Sequence, residues 1–210
     1  MTRISFIICA NNRWGDYASM FVDSIRQHES GVEVILVDNG SPKPYAAGPA
    51  YQLVRLEPGG DYNYMRALNA GAERAQGDWL IFCNDDILCY GKFAQAIEAL
   101  RPDALYGLEI RRKDENWGLA FRYVYGWMLI VPRAVWEVVG EFDEYYLHAG
   151  FDDIDYSWRA QQAGFGLQRV DLPFVHLADQ ARSKHRRAGV SGFQENMARS
   201  KQHFLQKALS

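Results

Sequence analysis

The sequence predicts an α/β fold in which a mixed, mainly parallel sheet is flanked by helices within one compact domain. Continuous apolar runs indicate strands covered on both faces, and amphipathic helical patterns fall between these runs. The chain has 210 residues, of which 48% are hydrophobic, so a sizeable single core is expected. Polar residues follow three of the predicted strands, at the sheet edge where such folds bind ligands.

Strands and helices alternate in the first hundred residues. The predicted order is strand 4–10, a helix from about 17 to 31, strands 32–37 and 52–56, a helix at 63–75 and a strand at 78–83. Asp16 is expected to cap the first helix, and Gly31 and Gly77 are expected to end the two helices. The alternation favours parallel strands, because parallel neighbours need crossover connections.

The second half of the chain has a more mixed pattern. It predicts a short helix around 93–100, strands at 105–110, 119–123, 127–131 and 170–176, and helices at 132–139, 152–164 and 192–209. Pro132 suits the first turn of a helix, and Pro173 favours an edge position for its strand. We see no repeat, low-complexity segment or linker, so one domain over 1–210 is expected.

Charge and cysteine content narrow the possible functions. The net charge of −3 gives no electrostatic case for nucleic acid, and the basic run 182–187 is interpreted as a solvated loop. Three cysteines without a CxxC pair suit a reducing compartment. Neither a secretory signal nor an apolar stretch of membrane-spanning length is evident, so a cytoplasmic location is expected.

Three acidic or amide residues, Asn84, Asp85 and Asp86, follow directly on an apolar strand. Ionised aspartate is almost never buried unless it is paired or binds a metal, and Mg²⁺ and Mn²⁺ commonly bridge carboxylate and phosphate oxygens. The alternative is a turn in which an aspartate caps the next helix. A haloacid-dehalogenase-type phosphatase is disfavoured, because Asn84 stands where that class needs its nucleophilic aspartate.

Asp38 stands at the end of the second predicted strand, followed by Asn39, Gly40 and Ser41. An aspartate here can accept hydrogen bonds from a base N–H or a ribose hydroxyl, although an Asx turn explains the same residues. Neither GxGxxG nor GxxxxGK[ST] occurs, which disfavours dinucleotide-binding and P-loop enzymes.

Two further groups of residues suit catalysis or metal binding. Asp152, Asp153 and Asp155 open a predicted helix, where carboxylates favour the helix dipole. Three acids in four residues exceed what capping requires, and an ionised Asp153 suits a general base. His176 ends a strand and can complete a metal site begun by Asp86, although a lone histidine is more often structural.

Along nearly its whole length, the chain resembles family-two glycosyltransferases of the GT-A (Rossmann-like) type. The segments that carry the resemblance are "ISFIICANNR", "VILVDNGS", "LNAGAERAQGDWLIFCNDD", "GEFDEYYLHAGFDDIDYSWRAQQAGF" and "VHLADQARSKHRR". They are similar, in this order, to the opening strand, the nucleotide-binding strand, the DxD-like motif, the catalytic acid segment and the late histidine with its mobile loop.

The resemblance implies a donor site in the first half of the chain, over 1–100. The implied nucleotide- and donor-binding residues are Cys9, Ala10, Asn11, Asp38, Arg66, Asn69, Asn84 and Asp85. Asp86 and His176 are implied ligands of Mn²⁺ or Mg²⁺. Asn84 takes the first position of the DxD motif, so ribose binding there depends on an amide where the family has a carboxylate.

The second half, over 101–210, is implied to serve the acceptor. Asp153 is the implied base, with Asp152 as the other candidate, because the family commonly has Glu-Asp at these positions. Trp127 and Met128 are implied to shape the sugar–acceptor pocket. The mobile loop is implied to bring Lys184, Arg186 and Arg187 over the diphosphate.

The implied activity is metal-dependent, inverting transfer of a sugar from a nucleoside-diphosphate sugar to a hydroxyl of a glycan or other acceptor. UDP and dTDP donors are preferred, and GDP donors are possible. A nucleotidyltransferase is an alternative, although "CANNRWGDYAS" lacks the glycine- and basic-rich stretch expected after its first strand. A nucleotide-sugar-binding protein without catalysis is a second alternative. The oligomeric state is not indicated.

Overall fold

A computed structural model of the chain describes residues 3–12, 17–57, 63–113, 121–147, 150–177 and 193–209. The strands are β1 (Ile4–Ala10), β2 (Glu33–Asn39), β3 (Gln52–Leu56), β4 (Trp79–Cys83), β5 (Ile87–Cys89), β6 (Ala104–Gly107), β7 (Ile110–Lys113), β8 (Phe121–Val124), β9 (Met128–Pro132), β10 (Gly166–Arg169) and β11 (Phe174–His176). The helices are α1 (Ser19–His28), α2 (Tyr64–Arg74), α3 (Ala94–Glu98), α4 (Arg133–Val139), α5 (Asp152–Gln162) and α6 (Phe193–Leu209).

Seven of these strands form the central sheet, in the order β10-β6-β9-β4-β1-β2-β3. Strand β1 pairs in parallel with β2 and β4, and β2 pairs in parallel with β3. Strand β9 runs antiparallel to both β4 and β6, whereas β10 is parallel to β6. The sheet is therefore mixed and mainly parallel, which confirms the predicted fold class.

Helices cover both faces of the sheet, because side chains of a strand alternate between its two faces. On β1, Phe6 and Ile8 enter a core shared with α1, α3, β5 and β11, whereas Ile7 and Cys9 enter a core shared with α2, α4, α5 and α6. A Cβ at Gly71 of α2 would overlap the Ile7 side chain, so glycine at this position allows α2 to lie close against the sheet.

The predicted strands differ from the structure where a strand is short or pairs with a strand distant in sequence. Strands β5 and β10 were not predicted, because three or four residues give too little periodicity, and β10 has the mostly exposed sequence Gly-Leu-Gln-Arg. The predicted strand 105–110 is divided into β6 and β7. The predicted strand 170–176 forms only β11, which pairs with β5 in a separate two-stranded sheet.

Residues 193–209 form α6, close to the predicted terminal helix 192–209. Asp16, the expected cap of the first helix, lies outside the described residues, and α1 begins after Ala18 without a side-chain cap. Within the described part of the chain, no helix combines the length and apolar character that crossing a bilayer requires.

Candidate active site at the carboxyl ends of the strands

The polar ends of β2, β1 and β4 lie side by side, because these three strands are consecutive neighbours in the sheet. The Asn11 amide donates to the Asn39 carbonyl across 2.6 Å. The Asn39 amide in turn donates to the carbonyl of Asn63, at the start of α2, across 3.1 Å. The predicted meeting of the three strand ends is therefore confirmed. Side-chain amides that donate to backbone carbonyls connect the ends of β1 and β2 to the start of α2.

Asp38 is fully buried at the end of β2. Its Oδ1 accepts from the Ser41 N–H at 3.0 Å, and its Oδ2 accepts from the Tyr45 N–H at 3.1 Å and pairs with Arg55. Burial raises the pKa of Asp38, but hydrogen bonds from Ser41, Tyr45 and Arg55 outweigh this effect and hold the pKa below its ordinary value. Asp38 is thus an ionised anchor for the turn after β2, and base recognition by it stays a prediction.

Other predicted donor-binding residues occupy different positions at this edge. The Cys9 and Ala10 side chains are buried in the cores on opposite faces of the sheet, so they border the edge through the strand that carries them. Arg66 is exposed on α2. Asn69 is buried on the same helix and is held by the backbone of Phe142, to which its amide donates at 2.9 Å. Their contact with a nucleotide stays a prediction.

A hydrogen-bonded network joins the DxD-like segment to β11. His176 Nε2 lies 3.0 Å from Asp86 Oδ1 and 3.3 Å from Asn84 Nδ2. The Tyr64 hydroxyl donates to Asn84 Oδ1 at 2.9 Å. The Trp127 ring stacks on the imidazole of His176, with ring centroids 5.3 Å apart and planes 1° apart. The structure therefore brings together the two predicted metal ligands, although 90 residues separate them in sequence.

The donor set fits a divalent cation in its chemistry. Carboxylate oxygen and imidazole nitrogen are both ligands of Mn²⁺-type ions. His176 Nε2 and Asp86 Oδ1 are in contact at 3.0 Å, so one ion could contact both side chains. Among the described residues, no group of three or more His, Cys, Asp or Glu side chains is arranged to hold an ion. A cation here therefore needs further ligands from water or a bound substrate.

Asp153 approaches the same edge from the first turn of α5. Its Oδ2 accepts from the Gly126 N–H at 3.0 Å, and its Oδ1 accepts from the Ile154 N–H at 2.9 Å. A Cβ at Gly126 would lie 3.0 Å from the Asp153 Cβ, so glycine allows this close approach. Gly126 directly precedes Trp127, and both residues lie just before β9. The predicted base and the predicted metal ligands are therefore linked through two adjacent residues.

The environment of Asp153 favours the neutral carboxyl group, so the expectation that the helix start holds this residue ionised is wrong. Burial raises the pKa of Asp153 to about 8, the neighbouring Asp152 charge adds to this effect, and the N–H donors of Gly126 and Ile154 oppose it. A carboxylate with a pKa near neutrality is suited to accept a proton during a reaction. Asp152 is half-buried, and its Oδ1 accepts from the Gly150 N–H at 2.5 Å.

The backbone is strained immediately before these two acids. Phe151 has φ 73° and ψ −12°, a left-handed conformation that is uncommon for a bulky residue. Its ring is buried and packs on Phe204 of α6, with centroids 6.1 Å apart. Strain of this kind persists only where surrounding packing enforces it, and α6 supplies part of that packing.

A cluster of charged side chains attaches α6 to the segment before α5, and we call Asp143, Asp155, His203 and Lys207 the helix clamp. Lys207 Nζ lies 2.5 Å from Asp155 Oδ1 and 3.0 Å from Asp143 Oδ2. His203 Nε2 lies 2.7 Å from Asp143 Oδ2, and Arg159 pairs with Asp155 at 2.8 Å. Burial raises the pKa of Asp143, but hydrogen bonds from His203 and Lys207 outweigh it and lower the pKa to about 2.

The segment 142–147 connects the helix clamp to the donor side of the edge. Asn69 accepts from the Phe142 N–H at 3.0 Å, and its amide also lies 3.2 Å from Glu144 Oε1. The Asn63 amide donates to the Glu144 carbonyl at 2.9 Å. The N-terminus of α2 and the C-terminus of α6 therefore hold one segment between them.

Sequence reasoning did not find the positioning residues of the site. Tyr64 lies within the predicted helix 63–75, but the contact of its hydroxyl with Asn84 was not predicted. The helix clamp pairs residues 52 and 64 positions apart, and no local pattern marks such pairs. Met128, predicted to shape the pocket, is buried in the core, whereas Trp127 lies at the edge. The predicted loop residues Lys184, Arg186 and Arg187 lie outside the described residues.

Two comparisons relate this chain to known proteins, and a third, with curated protein sequences, gives no match. The family model described as "Glycosyl transferase family 2" matches residues 5–134. A mannosyltransferase from Pyrobaculum calidifontis, solved with GDP-Man and Mn²⁺, is similar in structure, with TM-score 0.67 and 16% identity over 99% of this chain and 64% of that one.

Two further solved structures are similar. GalNAc-T7, solved with UDP, GalNAc and Mn²⁺, has TM-score 0.74 and 14% identity over 95% of this chain and 47% of its own. TarS of S. aureus has TM-score 0.59 and 13% identity over 88% of this chain and 38% of its own. The chain thus spans less than two thirds of each of these structures. At such identities the likeness shows a common fold.

Proposed function

The chain belongs to glycosyl transferase family 2 and has the GT-A fold, and from this premise we propose that it transfers a sugar from a nucleoside-diphosphate sugar to an acceptor hydroxyl. The observation that carries the proposal is the contact between Asp86 and His176 at the carboxyl edge of the sheet. Asp153 is held there by Gly126, the residue before the Trp127 ring that stacks on His176. One pair suits a cation that holds a diphosphate, and the third residue suits a proton acceptor.

The donor is proposed to lie across the ends of β2, β1 and β4. The base and ribose lie by the turn that Asp38 anchors and by Asn11, and the diphosphate lies by Asn84 and Asp86. The mannosyltransferase was solved with GDP-Man and GalNAc-T7 with UDP, so both bases are candidates for this chain. UDP and dTDP remain the preferred donors from the sequence.

Asp86 and His176 would hold Mn²⁺ or Mg²⁺, and the diphosphate oxygens and water would complete the coordination. When bound, such an ion supplies positive charge that stabilises the departing nucleoside diphosphate. The Trp127 ring stacks on the imidazole of His176 and so orients this ligand. Beside it, Asn84 is held by the Tyr64 hydroxyl.

Asp153 is proposed to accept the proton of the acceptor hydroxyl. The hydroxyl oxygen forms a bond to the anomeric carbon of the donor as the bond from that carbon to the diphosphate oxygen breaks, and the electron pair leaves with the diphosphate. A single displacement of this kind inverts the anomeric configuration. The raised pKa of Asp153 makes its carboxylate a better proton acceptor than an ordinary aspartate.

A thermal-shift screen tests the proposed donor site. Uridine, thymidine and guanosine diphosphates are each added to the protein with Mn²⁺, and again with a chelator. We expect one or more of them to raise Tm with Mn²⁺ and not with the chelator, because ligand that binds only the folded state stabilises it. The Asp86→Ala variant should lose the shift. A wild-type Tm that no nucleotide changes would contradict the donor site.

A further inference from the structure

A polar cavity of about 530 Å³ lies beside the candidate active site. Its lining includes Tyr90, Glu109, Trp127, Arg169 and Asp171. We call this cavity the Tyr90 pocket. Strands β5, β6 and β10 each end beside it, so it opens at the same carboxyl edge of the sheet as the candidate active site. The proposed donor-binding residues do not include Tyr90, Glu109, Arg169 or Asp171, so a role for the pocket remains to be assigned.

Trp127 is common to the pocket and the site. One face of its ring stacks on His176, the proposed metal ligand, and the residue also lines the Tyr90 pocket. The preceding residue, Gly126, donates its N–H to Asp153 at 3.0 Å. The pocket and the proposed base are therefore joined through two consecutive residues, Gly126 and Trp127.

The pocket presents flat aromatic surface to solvent. Tyr90 is 62% exposed, which is unusual for a large aromatic side chain, while its backbone N–H is fixed by the Pro173 carbonyl at 2.9 Å. Phe174, which is buried, and Trp127 add further aromatic side chains to the lining. Tyrosine and tryptophan combine a flat apolar face with a polar tip, so they suit ligands that have both kinds of surface.

The charges around the pocket are balanced. Arg169 pairs with Asp171 at 2.6 Å, with side chains 65% and 86% exposed, and Glu109 pairs with Arg111 at 2.7 Å. Because each of these guanidinium groups is matched by a carboxylate, the rim has little net charge to attract an anionic ligand, and its polar groups disfavour a wholly apolar one. A neutral molecule with many hydroxyl groups fits both conditions, because carboxylate and guanidinium groups can bind hydroxyls while aromatic rings cover C–H faces.

We propose that the Tyr90 pocket binds a neutral saccharide that carries the acceptor hydroxyl. This inference rests on the proposed glycosyl transfer and adds the class of acceptor to it. Stacked on the exposed aromatic surface and hydrogen-bonded at the charged rim, the saccharide directs a hydroxyl past Trp127 toward Asp153.

Binding can be measured without a donor, which keeps this test separate from that of the proposed function. Saturation-transfer-difference NMR is recorded on wild-type protein with neutral gluco-, galacto-, manno- and xylo-configured trisaccharides, and with a glucuronate-containing trisaccharide. We expect at least one neutral trisaccharide to bind and the anionic one to bind more weakly. Preferred binding of the anionic probe, or no binding of any neutral probe, would overturn the proposal.

Variants locate the bound saccharide. Tyr90→Ala should weaken binding of the neutral trisaccharide by roughly tenfold and raise the acceptor KM to a similar extent, while donor hydrolysis in the absence of acceptor stays unchanged. Tyr90→Phe should bind as wild type, because it keeps the ring. Val138→Ala, on the exposed face of α4, is the control. Unchanged saccharide affinity in Tyr90→Ala would overturn the proposal, because the acceptor would then bind elsewhere. If wild-type protein hydrolysed no donor, that result would count against the proposed function and not against the saccharide site.

Discussion

The candidate active site and the helix clamp both gather aspartates, but they give these residues different partners. Asp155 in the clamp is 1% exposed and lies against Lys207 and Arg159. Asp153 lies two residues earlier on the same helix and accepts from backbone N–H groups of Gly126 and Ile154. In the clamp, hydrogen bonds from His203 and Lys207 lower the pKa of Asp143, whereas in the site burial raises the pKa of Asp153 toward neutrality.

This difference separates a structural role from a chemical one. A carboxylate matched to cations within the chain stabilises the fold and holds its charge across physiological pH. A carboxylate whose charge is disfavoured in the folded chain is suited to take up a proton. The two kinds of aspartate share one helix, so the clamp that fixes α6 also helps to place the first turn of α5.

The largest expected effect is on the chemistry of Asp153. Asp153→Asn keeps the shape and removes the proton acceptor, so transfer should fall by roughly 10²–10⁴-fold. Donor affinity should change little, because Asp153 contacts Gly126 and Ile154, whereas the diphosphate is proposed to lie by Asp86. Transfer rate and calorimetric donor binding measure the two effects separately.

Asp152→Asn is the matched control for that variant. Asp152 accepts from the Gly150 N–H, and we expect the Asp152→Asn variant to keep most of the transfer rate. A normal rate in Asp153→Asn together with a collapsed rate in Asp152→Asn would exchange their roles. Lost donor binding in Asp153→Asn would instead assign this acid to the nucleotide site.

A smaller effect is expected where the chain orients a proposed metal ligand. Asn84→Ala removes an amide that accepts from the Tyr64 hydroxyl at 2.9 Å and lies beside the imidazole of His176. Loss of such an outer contact typically lowers metal affinity or activity by roughly 10–100-fold. A Mn²⁺ titration of the transfer rate measures it, with Gln52→Ala on the exposed face of β3 as control. An unchanged Mn²⁺ requirement would show that Asn84 does not act through the imidazole.

The helix clamp should affect stability more than chemistry. Lys207→Met removes one cationic partner of the buried Asp155 and leaves Arg159, so we expect the free energy of unfolding to fall by about 2 kcal/mol. Arg101→Met removes an exposed pair with Asp103 and should cost about 0.5 kcal/mol. Urea unfolding compares the two. Equal costs would mean that the clamp behaves as an ordinary surface pair.

Two further expected effects are pH dependences of stability, and they have opposite signs. Asp143 has a folded pKa of about 2, below its ordinary value of 3.8, so the stability it contributes is present above about pH 4 and is lost as pH falls toward 2. Asp153 has a folded pKa of about 8, so its contribution weakens as pH rises from about 4 toward 8.

Thermal melts of two variants separate these contributions. Asp143→Asn should flatten the loss of Tm at acid pH, and Asp153→Asn should raise Tm at pH 9 relative to wild type more than at pH 5. If the Tm differences of both variants from wild type changed in the same direction as pH rises, the contrast between the two regions would be contradicted.

The sequence predicted those parts of the molecule that local patterns encode. Strands β1 and β4 and helix α2 were predicted because long apolar runs or four-residue spacings mark them, and the placement of Asp86 and His176 at strand ends followed from this. The Tyr64–Asn84 contact and the clamp around Lys207 were not predictable, because each depends on which helix faces which segment. The strained φ of Phe151 is likewise set by packing against α6.

Proton NMR of the anomeric signal during turnover tests the central claim most directly. An α-linked nucleoside-diphosphate sugar that the protein binds is incubated with Mn²⁺ and acceptor, once with wild type and once with Asp153→Asn. We predict that wild type forms a β-configured product and that the variant binds the donor but forms almost none. An α-configured first product, or undiminished turnover in the variant, would contradict displacement assisted by Asp153 at this site.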